Sequence, residues 1–126
     1  MSLGILCPGQ GAQGPAMLDL LKGEPEAERV LAHVSAGLDA PVADILSGPE
    51  DALFSNAIAQ PLICAVELAT WAALSGRLPS PRVFAGYSVG ELAAYGCAGA
   101  LIRGLSWRSP ATAPGQWMWP VLIRVG

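Results

Sequence analysis

The sequence predicts an α/β fold built on a parallel sheet, because short apolar runs alternate with helical periods and are separated by turns rich in glycine and proline. Three observations carry that expectation. Leu3 to Cys7 is an apolar run halted by Pro8-Gly9. Ala27, Val30, Leu31, Val34 and Leu38 recur at helical spacing. A second short run, Arg82 to Ala85, leads through Gly86-Tyr87-Ser88-Val89-Gly90 into the helix formers Glu91-Leu92-Ala93-Ala94-Tyr95, which is the order strand, tight turn, helix.

Each element follows from local chemistry. Leu3–Cys7 reads as a buried strand, and Pro8-Gly9-Gln10-Gly11-Ala12-Gln13 as the loop it feeds. The stripe from Ala27 to Leu38, with Glu26, Glu28 and Arg29 off it, predicts an amphipathic helix ending near Gly37. Gly48-Pro49-Glu50-Asp51 reads as a turn into a first helical turn, where acids suit the helix dipole. A second helix is expected from Pro61, whose missing N–H is harmless at a helix start, through to about Leu74. It is apolar nearly all round, so it belongs in the core. Gly76 is a natural stop, and Pro79-Ser80-Pro81 a stiff connector.

Bulk properties narrow the function. At 126 residues one core is the default, and 52% hydrophobic against 13% charged residues describes a folded chain. A net charge of -3 lacks the basic footprint that nucleic acid or an anionic membrane demands. Cys7, Cys64 and Cys97 are odd in number, far apart and without Cys-x-x-Cys pairing. Buried free thiols are therefore expected, with no disulfide framework or metal site. Met1 to Cys7 is too short for a signal peptide. Pro61 to Leu74 contains Glu67 and falls short of the ~20 residues of a membrane span. A soluble, cytoplasmic chain is the expectation.

The character changes after Leu101. All ten acids lie before it, whereas residues 102–126 hold three arginines, three prolines and three of the four tryptophans. No period survives between Arg103 and Met118, so 1–101 is read as the domain proper and 102–126 as a divergent tail foreign to the fold. A shifted reading frame would account for so abrupt a switch.

Gly-x-Ser-x-Gly between a strand and a helix makes a nucleophile elbow, in which Ser88 sits on a strained turn with its hydroxyl exposed above the sheet. Gly86 and Gly90 lack the side chains that would keep strand and helix apart. The Val89 N–H then points from a helix N-terminus at a carbonyl oxygen gaining charge. The competing reading is that Ser88 merely caps the helix. Gln10, flanked by Gly9 and Gly11, could orient a bound carbonyl or could be an ordinary polar turn residue. The loop is neither Gly-x-Gly-x-x-Gly nor a phosphate loop with its lysine, so no nucleotide site is indicated. A serine nucleophile needs a general base. The one histidine, His33, falls on the polar side of the first helix and reads as an exposed residue, so the base is not present in these residues.

Pro8-Gly9-Gln10-Gly11-Ala12-Gln13, Gln60-Pro61 and Ala85-Gly86-Tyr87-Ser88-Val89-Gly90-Glu91-Leu92-Ala93-Ala94 together resemble the malonyl-CoA:acyl-carrier-protein transacylase family, over Met1 to about Leu101. The family usually has histidine before the nucleophile. Tyr87 at that place is similar to the malonate decarboxylase epsilon subunit, which loads malonyl onto the carrier subunit of its complex. The resemblance implies a partial, truncated acyltransferase domain of α/β-hydrolase-like type, with no bound cofactor. It implies ping-pong transfer of a malonyl group from malonyl-CoA or another acyl-CoA to the phosphopantetheine-type thiol of an acyl carrier protein. In that scheme Ser88 carries the acyl group, Gln10 and Val89 give N–H groups to the oxyanion, and Tyr87, Gly9 and Gly11 border the substrate. The family's carboxylate-binding arginine and histidine base have no matching motif here, and Arg103 and Arg108 receive no role. An incomplete sheet would expose backbone and apolar faces, so aggregation or oligomerisation is expected.

Two other readings stay open. An α/β-hydrolase esterase shares the elbow but usually draws its second oxyanion donor from a His-Gly-Gly loop, where this chain has Pro8-Gly9-Gln10-Gly11. An inactive remnant that binds a carrier or partner subunit would suit the lack of a usable histidine.

Overall fold

A computed structural model describes residues 2–38, 40–100 and 121–124. Strand β1 (Gly4–Cys7) lies beside β2 (Val83–Gly86), and the two run parallel, with Ile5 opposite Phe84 and Cys7 opposite Gly86. Between them the chain folds into a short 3-10 segment (Pro15–Leu21), α1 (Pro25–Leu38), α2 (Val42–Leu46), a second 3-10 segment (Glu50–Phe54) and the long α3 (Asn56–Ser75). Helix α4 (Gly90–Cys97) leaves the turn after β2.

The sheet is mixed rather than wholly parallel. Strand β3 (Val121–Arg124) pairs antiparallel with β2, placing Val121 opposite Gly86, in the order β1-β2-β3. These residues fall inside the segment read as foreign to the fold. Backbone pairing asks little of side-chain pattern, so a four-residue run with the β-prone Val121 and Ile123 can join an open edge without the periodicity that would announce it. The remainder of that segment, with Arg103, Arg108, Trp107, Trp117 and Trp119, lies outside the described residues.

Helix α3 begins at Asn56, earlier than its proline suggested, and Pro61 sits inside it. Ser55 supplies the start: extended in backbone, it accepts the Ile58 and Ala59 N–H groups at 3.0 and 2.7 Å. Pro61 then forfeits only its own bond to the Ala57 carbonyl, a loss partly offset by its burial. The longer helix, 20 residues with an 18-residue window of mean hydropathy 1.5, reaches the length and apolar character of a membrane span, which corrects the expectation of a shorter stretch. A core helix has the same character, and 44% of its apolar window is buried inside the fold.

Three apolar clusters explain that burial. Cys7, Ile63, Cys64, Phe84, Val89, Ala93, Ala94 and Cys97 form the layer between the sheet, α3 and α4. There Trp71 meets Phe84 edge-on, with ring centroids 5.3 Å apart, a favoured aromatic geometry. Val42, Leu46, Leu53, Leu62 and Ala65 join α2 and the second 3-10 segment to α3. Leu21, Ala27, Ala69 and Ala73 close the α1–α3 contact, where alanines let the helices approach. The first 3-10 segment and α2 gave no sequence signal, being too short to show a period.

Candidate functional site

The turn from β2 to α4 holds Ser88 at φ 56, the one described residue other than glycine with positive φ. A side-chain-bearing residue in the left-handed region costs energy and persists only where its surroundings dictate it. Here they do. The Tyr87 N–H donates to the Cys7 carbonyl at 3.2 Å, tying the turn to the end of β1. The Gly90 N–H donates to the Tyr87 carbonyl and the Glu91 N–H to the Ser88 carbonyl, both at 3.0 Å, so the helix starts immediately after the serine.

The two glycines flanking the turn are required by space. A Cβ on Gly86 would overlap the Gly90 carbonyl, and a Cβ on Gly90 would overlap the carbonyl of Cys7. Strand, helix and the end of β1 therefore touch backbone to backbone around Ser88. Ser88 itself is half-buried, Tyr87 is exposed, and Val89 is buried in the core layer.

The loop after β1 reaches the same place. A Cβ on Gly9 would lie 3.0 Å from the Tyr87 carbonyl oxygen and 3.3 Å from Ser88 Cβ, so the Gly9 backbone rests against the serine turn. Gln10 follows, exposed, its Nε2 donating to Asn56 Oδ1 at 3.1 Å. Gly11 has φ 139, a value glycine tolerates and other residues rarely adopt. Among the described residues, neither the Gln10 N–H nor the Val89 N–H donates to a protein acceptor. The structure thus brings Gly9, Gln10, Gly86, Tyr87, Ser88, Val89 and Gly90 together. His33 is exposed on α1, as its polar-face position predicted.

Sequence reasoning passed over three residues that build this site. Gln13 is buried and ties the loop down twice, accepting the Gly11 N–H at 2.6 Å and donating to the Leu53 carbonyl at 3.1 Å. Its two-residue spacing from Gly11 was the available signal. Asn56, which holds the Gln10 amide, lies 46 residues away and left none. Glu91 is buried behind the turn, with Oε1 lacking a hydrogen-bond partner among the described residues.

A cavity of about 320 Å³ lies elsewhere, lined by Gly4 to Pro8 of β1 and its loop, by Glu67, Trp71 and Leu74 of α3, and by Cys97. Both Glu67 oxygens are buried without a partner among the described residues. Burial first, and Cys7 second, push its carboxyl from an ordinary 4.5 up to about 8. Among the described residues there is no group of three or more His, Cys, Asp or Glu side chains placed to hold a metal ion.

A serine strained on a strand-to-helix turn, with a glycine loop laid against it, places the chain among α/β proteins built on a strand–turn–helix unit. The chain belongs to the acyl transferase domain family, whose model matches residues 5–112. It is 35% identical over 106 residues to the malonyl CoA-acyl carrier protein transacylase of Mycobacterium bovis, covering 79% of this chain and 34% of that protein. Among solved structures it is similar to the acyl-carrier-protein S-malonyltransferase of Burkholderia pseudomallei, with a TM-score of 0.73 at 28% identity, over 79% of this chain and 33% of the other. It is also similar to a malonyl-transacylase solved with its type II polyketide synthase acyl-carrier protein, with a TM-score of 0.73 at 32% identity, over 79% of this chain and 33% of that one. The chain spans about a third of the length of these relatives.

Proposed function

We propose that this chain carries the nucleophile of an acyltransferase that moves a malonyl group from coenzyme A to the phosphopantetheine-type thiol of a carrier protein through an acyl-serine. The observation that carries the reading is Ser88 at φ 56 between β2 and α4, the geometry of a nucleophile elbow. Ser88 Oγ attacks the thioester carbonyl, and the C–S bond to coenzyme A breaks. The carrier thiol then attacks the acyl-serine and restores the hydroxyl. Negative charge on the carbonyl oxygen is met by the Val89 N–H at the start of α4 and the Gln10 N–H from the loop against Ser88, neither engaged by a protein acceptor among the described residues. Gly9 and Gly11 keep that loop thin enough to approach, and Tyr87 borders the entrance.

The relatives supply the acyl and carrier chemistry: one is a malonyl CoA-acyl carrier protein transacylase, and another was solved with its acyl-carrier protein. Tyr87 in place of the usual histidine favours a carrier subunit of the malonate decarboxylase kind. His33 is exposed on α1 and supplies no base. Acylation by these residues alone is therefore slow, since a nucleophile without its base keeps only the share of catalysis due to binding and the oxyanion donors.

Incubation with isotope-labelled malonyl-CoA followed by peptide mass mapping tests the mechanism. Label is expected on the peptide containing Ser88 and absent from Ser88→Ala. Label at equal yield in Ser88→Ala, or none on wild-type protein even when the remaining part of a family member is supplied, would overturn it.

A further inference from the structure

The loop after β1 is fixed on both sides of Gln10. On one side the Gly9 backbone rests against the serine turn, where a Cβ would stand 3.0 Å from the Tyr87 carbonyl oxygen and 3.3 Å from Ser88 Cβ. On the other, the Gly11 N–H donates to Gln13 Oε1 at 2.6 Å, and Gln13 Nε2 donates to the Leu53 carbonyl at 3.1 Å. Gln13 is buried, and Leu53 is fully so, in the cluster that joins the second 3-10 segment to α3. We propose that Gln13 is a positioning residue for acyl transfer: its amide takes up the Gly11 N–H and ties the loop to the core, so that the Gln10 N–H remains as the donor presented to the substrate oxygen beside Ser88. The inference rests on the acyl-serine reading of Ser88.

The place requires an amide. One planar group there supplies an acceptor to Gly11 and a donor to Leu53, and leaving either partner unsatisfied in the interior costs more than a bond is worth net. Gly11, at φ 139, adopts a backbone that glycine alone takes readily, which lets the chain turn so that Gln13 reaches back over two residues. Successive N–H groups at Gln10 and Gly11 would otherwise compete for one oxyanion. With the second engaged the first is left, and among the described residues it meets no protein acceptor. Such a donor works only where it is held in place before charge develops. Asn56 Oδ1, accepting from Gln10 Nε2 at 3.1 Å, is an exposed tether in competition with water, whereas the Gln13 bond to Leu53 is shielded.

The test uses the full 126-residue chain and two variants. Gln13→Met keeps the side-chain length and removes both bonds. Gln13→Glu keeps the shape: its neutral carboxyl can accept from Gly11 and donate to Leu53, whereas its carboxylate has no donor for the Leu53 carbonyl. In Gln13→Met, exchange of the Gly11 amide, followed by NMR, should accelerate at least about tenfold while α3 amides keep their protection. With labelled malonyl-CoA, acylation of Ser88 at saturation should slow at least about tenfold with the half-saturating concentration unchanged, because an oxyanion donor acts on the transition state rather than on bound substrate. Relative to wild type at the same pH, Gln13→Glu should match it at about pH 4 and approach Gln13→Met by about pH 8.

An equally protected Gly11 amide in Gln13→Met overturns the proposal, as does acylation at the wild-type rate once that amide is released. If Gln13→Met also loses its α3 protection, the pH series of Gln13→Glu decides, and a rate ratio to wild type that ignores pH overturns the proposal. Absence of label on Ser88 in wild-type protein removes the acyl-serine reading and this inference with it, an outcome distinct from one in which wild type and both variants label equally fast.

Discussion

Ser88 pays for its position in backbone strain: φ 56 is a conformation that a β-carbon makes costly by about 1–2 kcal/mol. Glycine at that place would relieve the strain, whereas alanine would keep the β-carbon and lose only the hydroxyl. Ser88→Gly is therefore expected to be more stable than Ser88→Ala by about 1 kcal/mol, read from urea midpoints. A helix-capping serine would also favour glycine over alanine but would leave both variants less stable than wild type, whereas relief of strain lets Ser88→Gly match or exceed wild type. Equal midpoints would remove strain from the account of the turn. The neighbouring glycines admit no such exchange, since Gly86 and Gly90 meet carbonyls where a β-carbon would stand.

Helix α3 carries an element-scale consequence through Glu67, which it places among apolar residues with both oxygens unpartnered among the described residues. Its folded value, about 8, lies above the ordinary 4.5. The folded chain therefore holds a proton that the unfolded chain has released. The group's contribution is fully present below pH 4.5 and is lost as pH rises towards 8. Glu67→Gln is expected to flatten that loss, so that wild-type and variant stabilities diverge with rising pH in favour of the variant. Urea unfolding at several pH values across this window reads the difference, and parallel curves would place Glu67 in water. The same helix shows how a proline is tolerated in an interior: once Ser55 starts the helix, one missing bond at Pro61 is outweighed by the apolar contacts of the residues around it.

For the whole molecule the notable surface lies at the outer side of β1. Among the described residues β1 pairs only with β2, Leu6 is 78% exposed on it, and the cavity beneath is largely apolar. An unpaired strand edge next to apolar surface invites another chain. Self-association that rises with concentration is expected in sedimentation velocity. Leu6→Lys should weaken it, because a charge on the edge opposes pairing. A wild-type chain that stays monomeric at the highest concentrations reached would refute this.

What could be read from the sequence was local. Strand, turn and helix around Ser88, the loop from Pro8 to Gln13, the stripe of α1 and the exposed His33 each depend on residues close in the chain, whose sterics and periodicity act whatever surrounds them. The acyl transferase family followed from the same motifs. Tertiary structure decided the rest. It set the antiparallel partner of β2, the start of α3 ahead of Pro61, and the anchoring of the site loop by Gln13 to Leu53 and by Asn56 to Gln10. Each of these joins positions distant in sequence or outweighs a local preference, and such contacts exist only once packing has brought the segments together.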